Sequence, residues 1–130
     1  MLDALRFVES CRVGNTRVDA TVEFLLSHWE LRKPIGPCHW SIGSQFMQVE
    51  YAFVRYNLFH YVYVRSFFEW AKQDPRLLDV LHELESKLGE HGSLVVERPH
   101  RALKGLRFCT RGEPSIQATR RLLEIRQNRS

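Results

Sequence analysis

Apolar residues recur along much of this chain at helical spacing. Val18, Val22, Leu25 and Trp29 follow one another at steps of four, three and four, which lays them along one side of a helix. The start resembles a capping box, Thr16-x-x-Asp19. Pro34 ends the helix, because its ring pushes Lys33 out of the α region. Leu77, Leu81, Leu84 and Leu88 repeat the same spacing. Asp74-Pro75 ahead of them supplies an N-cap and a proline at the first helical position, and Gly89 supplies a stop. Further helices are expected over about residues 2–13, closed by Gly14, and over about residues 115–127, capped by Ser115.

Residues 44–73 are the most apolar stretch. Their β-branched and aromatic content suits strand. At about 100° per residue, however, Val49, Ala52, Phe53, Tyr56, Phe59, Tyr63, Phe67, Trp70 and Ala71 share one face, and Gln48, Arg55, Ser66, Glu69 and Gln73 form a polar stripe. No Asn-Gly or Asp-Gly marks a hairpin turn, and Tyr56-Asn57 is a weak substitute. One helix of about 45 Å is expected. A second side, carrying Met47, Tyr51, Val54, Leu58, Tyr61 and Phe68, must also be covered, either by the other helices or by a second copy of the chain. A homodimer is therefore expected. Short β-like runs at residues 93–98 and 105–110 flank a basic loop and read as a small hairpin. The expected architecture is mainly α: a single domain over residues 1–130, a bundle of about five helices with a small β-hairpin near residues 93–110.

Composition supports a folded chain: 44% of residues are apolar and 26% charged, which excludes disordered and collagen-like classes. No run of apolar residues is long enough to span a bilayer, so no membrane association is expected. The N-terminal residues lack the pattern of a secretory signal, and Cys11, Cys38 and Cys109 are an odd, sparse set. Together these suggest a reducing, cytoplasmic setting and free thiols.

Charge changes the picture more. Residues 98–130 carry nine basic and two acidic side chains, a sum of +7, against −3 over residues 1–97. Arginine outnumbers lysine 15 to 4, and arginine is the better fork for phosphate. Arg98, Arg101, Lys104, Arg107, Arg111, Arg120 and Arg121 are the expected nucleic-acid contacts. An acidic protein partner, or a merely solvated basic face, fits the same pattern.

Catalytic signatures are sparse: no Gly-rich phosphate loop, nucleophile elbow, Cys-x-x-Cys or His-Glu-x-x-His occurs. No cofactor and no metal are expected. The pair Cys38-His39 could serve zinc or a thiolate–imidazole couple only with further ligands, and otherwise reads as a loop cysteine and a surface histidine.

Arg55-Tyr-Asn-Leu-Phe-His60 has the Arg-x4-His form. Over these six residues it resembles the motif of the HEPN families of helical nucleases and toxins. The resemblance implies a metal-independent ribonuclease in which Arg55 holds phosphate charge and His60 moves a proton. On one continuous helix the two would lie about 140° apart, which leaves His60 readable as a core histidine. Residues 69–112 are similar to a winged-helix DNA-binding module, with the Leu-striped helix after Asp74-Pro75 as the reader and the basic loop over residues 99–104, between the runs 94–98 and 105–108, as the wing. That likeness implies His100, Arg101, Lys104 and Arg107 at phosphates or in a minor groove. The striped helix carries Asp79, His82, Glu83, Glu85 and Glu90 on its solvent positions, so the wing and last helix would have to bind alone.

The leading expectation is a small non-enzymatic, nucleic-acid-associated or regulatory protein. The alternatives are the helical ribonuclease using Arg55 and His60, and an interaction module dimerising through the aromatic helix.

Overall fold

Non-local hydrogen bonds, rather than helical periodicity, shape the middle of the chain. The computed structural model describes residues 16–36, 39 and 41–130, so the helix expected over residues 2–13 lies outside the described residues. The protein is mainly helical. Four α-helices occur among the described residues: α1 (Thr16–Leu31), α2 (Leu58–Arg65), α3 (Pro75–Glu85) and α4 (Ile116–Arg129). Short 3-10 turns lie at Glu69–Gln73, Arg101–Leu103 and Arg107–Cys109.

α1 buries the expected stripe: Val22, Leu25 and Trp29 are inside, joined by Leu26 and His28. The helix ends at Arg32, whose φ of 57° is left-handed, a conformation that favours glycine. Its guanidinium lies 4.3 Å from the centroid of the Trp29 ring, so stacking offsets part of that strain. In α3, Asp74 caps as expected, accepting from the backbone N–H of Arg76 at 2.8 Å, with Pro75 in the first turn. Leu77, Leu81 and Leu84 are buried. The helix stops at Ser86, one turn before the expected glycine, and Leu88 forms an isolated antiparallel bridge with Leu94 instead. Ser115 caps α4 by accepting from the N–H of Ala118 at 3.2 Å, and the helix continues to Arg129.

Residues 44–73 are not one helix. Only Leu58–Arg65 is α-helical, and Asn57 is its N-cap, accepting from the N–H of His60 at 3.1 Å. Before it the chain turns irregularly. The Glu50 carboxylate accepts from the backbone N–H of Val54 and Arg55, and the Val49 carbonyl accepts from Glu97 and Arg98 at 2.9 and 3.1 Å. Groups that a continuous helix would pair along its axis are satisfied by a side chain and by a distant segment.

The hairpin near residues 93–110 is likewise replaced. The two runs do not pair with each other. Val95 bridges Pro114, the Val96 carbonyl accepts from Gly112 at 2.7 Å, and residues 101–109 fold into two 3-10 turns. Without a hairpin there is no wing, and the winged-helix likeness ends at the level of element order.

α2 occupies the centre, with all eight of its residues buried. It packs on α3 and α4, while α1 packs on α3. Polar ties fix these contacts: Tyr61 Oη donates to the Leu25 carbonyl at 2.7 Å, Trp29 Nε1 to Asp79 at 2.9 Å, and Asn128 Nδ2 to Ser66 Oγ at 3.0 Å. Of the second aromatic side, Leu58, Tyr61 and Phe68 are buried, Met47 and Tyr51 pack against the core, and Val54 stays exposed. The chain's own elements supply the cover that the sequence left open. No helix among the described residues is long and apolar enough to cross a membrane.

Candidate nucleic-acid interface

Seven of the nine basic residues of the C-terminal third fall into two groups. Arg101, Lys104, Arg107, Arg111 and Arg120 are exposed, and none of them joins an ion pair among the described residues. The 3-10 turns position the first three. His100 Nδ1 accepts from the N–H of Ala102 at 3.2 Å, and the ring of Phe108 packs 6.2 Å from that of Tyr51. Buried Cys109, a free thiol, anchors the second turn.

The second group is spoken for. Arg121 donates to Glu124 at 2.7 Å and lies 5.6 Å from the Tyr63 ring centroid. The bond to Glu124 holds its guanidinium protonated well beyond the ordinary range. Arg126 pairs with Glu85 on α3 at 2.9 Å. Arg121 therefore also packs at the α2–α4 seam, with its side chain part-exposed.

Arg98 joins a different feature. With Arg55, Ser41, Gln45, Phe46 and Tyr56 it lines a cleft of about 330 Å³. Arg55 is fixed there. Its guanidinium is paired with Glu50, which is 1% exposed, and Nη2 reaches the Arg98 carbonyl at 3.4 Å. The Tyr56 ring stacks 5.8 Å from buried His28, with 3.1 Å between the hydroxyl and His28 Nδ1. Among the described residues no acidic side chain lines this cleft. Two other clefts differ. One joins Trp29, Arg32 and Arg76 to Glu30 and Asp79, and the other joins Trp70 to Asp19 and Glu23. Both carry acidic side chains, and an ion pair between Arg76 of the first and Glu23 of the second, at 2.7 Å, links them.

Arg55 and His60 do not share the helix on which their spacing was read. Arg55 precedes α2, so the angular argument from one continuous helix does not apply. His60 is 6% exposed and its ring lies parallel to Phe53 at 4.8 Å. Both side chains thus have roles in holding the fold. Of the Cys38-His39 pair, Cys38 lies outside the described residues and His39 is exposed. Among the described residues no three His, Cys, Asp or Glu side chains converge as a metal site.

Sequence reasoning missed the cleft. Arg55 and Arg98 belong to segments joined by the bonds at Val49 and by the reach of Arg55 to the Arg98 carbonyl, and no periodic pattern links them. Glu50 was the available signal, an acid set among the apolar residues near the start of the 44–73 stretch. Comparison with protein-family models, with curated proteins and with solved structures returned no match.

Proposed function

We propose that this protein binds nucleic acid through the surface formed by Arg101, Lys104, Arg107, Arg111 and Arg120, as a phosphate-contacting rather than base-reading module. One observation carries the reading: these five cations are exposed and outside every ion pair among the described residues, whereas Arg55, Lys72, Arg76, Lys87, Arg121 and Arg126 all have carboxylate partners. Cations left over in this way on one stretch of chain can exchange condensed counterions for phosphates. Base readout has little support, because the exposed face of α3 carries Asp79 and Glu90 lies just beyond it, both repelled by a duplex.

Fluorescence anisotropy with a labelled random duplex and a labelled single strand tests this. Affinity should fall with salt at a log–log slope of about −0.9 per duplex phosphate contact, or about −0.7 for a single strand. Replacing Arg101, Lys104 and Arg107 together with alanine should reduce the slope by about two to three units and leave the fold intact. Absence of binding to either probe at micromolar protein in about 50 mM salt overturns the proposal and leaves an acidic protein as the partner the surface fits.

A further inference from the structure

We infer that the cleft between Arg55 and Arg98 receives a single nucleotide, its phosphate on the two guanidinium groups and its base against Tyr56. The observations are independent of the exposed basic surface. The cleft measures about 330 Å³, at the small end of the roughly 300–1,000 Å³ usual for small-molecule sites, so it suits one mononucleotide rather than a dinucleotide. Its walls are of two chemistries. Arg55 and Arg98 form a cationic side, Phe46 and Tyr56 an aromatic side with ring centroids 5.1 Å apart, and exposed Ser41 and Gln45 supply hydrogen-bonding groups at the rim.

Two features make the site pre-formed. The buried Glu50 carboxylate holds Arg55 through its guanidinium and its backbone N–H, so little side-chain freedom is lost when an anion arrives. Tyr56 is held in the same way by His28 behind it and by Phe46 and Tyr61 at its edges. Glu50 neutralises one of the two guanidinium groups, and Arg98, outside every ion pair among the described residues, supplies the net positive charge. A phosphate attached to a planar ring matches this arrangement. A free inorganic anion would leave the aromatic wall unused, and a neutral ring would leave Arg98 unused.

Because Arg98 opens the basic third, the nucleotide is taken as a unit of a single strand, a clause that rests on the function proposed above. A base paired within a duplex cannot enter a cleft this small.

The test uses the whole chain and calorimetric titration with adenosine monophosphate, adenosine and inorganic phosphate. The monophosphate should bind with a submillimolar dissociation constant, about tenfold or more tighter than either fragment. Arg98→Ala removes the charge-assisted contact and should weaken it about tenfold to a hundredfold. Gln45→Glu places a carboxylate at an exposed rim position outside the core and should weaken it about tenfold, with an unchanged melting curve. Equal binding of the three ligands, or undiminished binding by both variants, overturns the inference. A labelled single strand and duplex form the second arm. Gln45→Glu should abolish a preference for the single strand while leaving the salt-dependent duplex binding. Polymer binding with no response to the monophosphate sinks the cleft and spares the basic surface. Binding of the monophosphate with no polymer binding sinks the basic surface and shows the cleft to be a site for a free nucleotide.

Discussion

Buried Glu50 pairs with the part-exposed guanidinium of Arg55 and organises the turn ahead of α2. The carboxylate is 1% exposed and also accepts from the N–H of Val54 at 3.2 Å and of Arg55 at 2.6 Å. Glu50→Gln keeps the shape but loses the charge and turns an amide donor toward other donors. It should destabilise the fold by about 2–4 kcal/mol, as a lost charged hydrogen bond and an unpaired cation require. Urea unfolding measures this, and a loss under about 0.5 kcal/mol would mean that the pair does not organise the turn.

The Leu stripe of α3 offers a sharp contrast between neighbours. Leu77 is fully buried, whereas Leu78 is 36% exposed. Leu77→Ala should cost about 2–5 kcal/mol, and Leu78→Ala about 1 kcal/mol or less. Similar losses from the two, by thermal or urea melting, would contradict the face assigned to the helix.

Adjacent arginines of α4 should behave differently. Arg120 is exposed and outside every ion pair among the described residues, while Arg121 is bonded to Glu124. Arg120→Ala should lower the salt slope of nucleic-acid binding by about 0.7–0.9 and leave stability unchanged. Arg121→Ala should leave the slope unchanged and cost about 0.5–1 kcal/mol of stability, since its pair is partly exposed. The reverse outcome would place the interface on the α2–α4 seam.

Arg76 sets an acid limb of stability. Its guanidinium donates to Glu23 at 2.7 Å and to Asp74 at 2.8 Å, and these hydrogen bonds hold both carboxyls below their ordinary values of 4.5 and 3.8. A depressed carboxyl pKa adds stability above the unfolded-state value, and that stability is lost as pH falls through the folded value. Arg76→Met should therefore be less stable than the parent by about 1 kcal/mol near neutrality, with the gap closing as pH drops below about 4. Denaturation at several pH values decides it, and a gap that stays constant into acid would refute the coupling.

Elements with local signals are readable without the fold. The Asp74 and Ser115 caps, the stripes of α1 and α3, and the surplus of cations after residue 97 are all legible because each involves residues within a few positions of one another. Tertiary structure decided the rest. α2 is buried on every side, so its residues carry no face to read, and an apolar stretch with no dry and wet side can be fitted to a helix of any length. The true start of α2 was marked only by Asn57. The irregular turn before it exists because Glu50 captures two backbone amides and Val49 captures two more from residues 97 and 98. The same bonds bring Arg55 beside Arg98. Pairings across that much chain leave no periodic trace, since their stability comes from geometry formed only when the core closes.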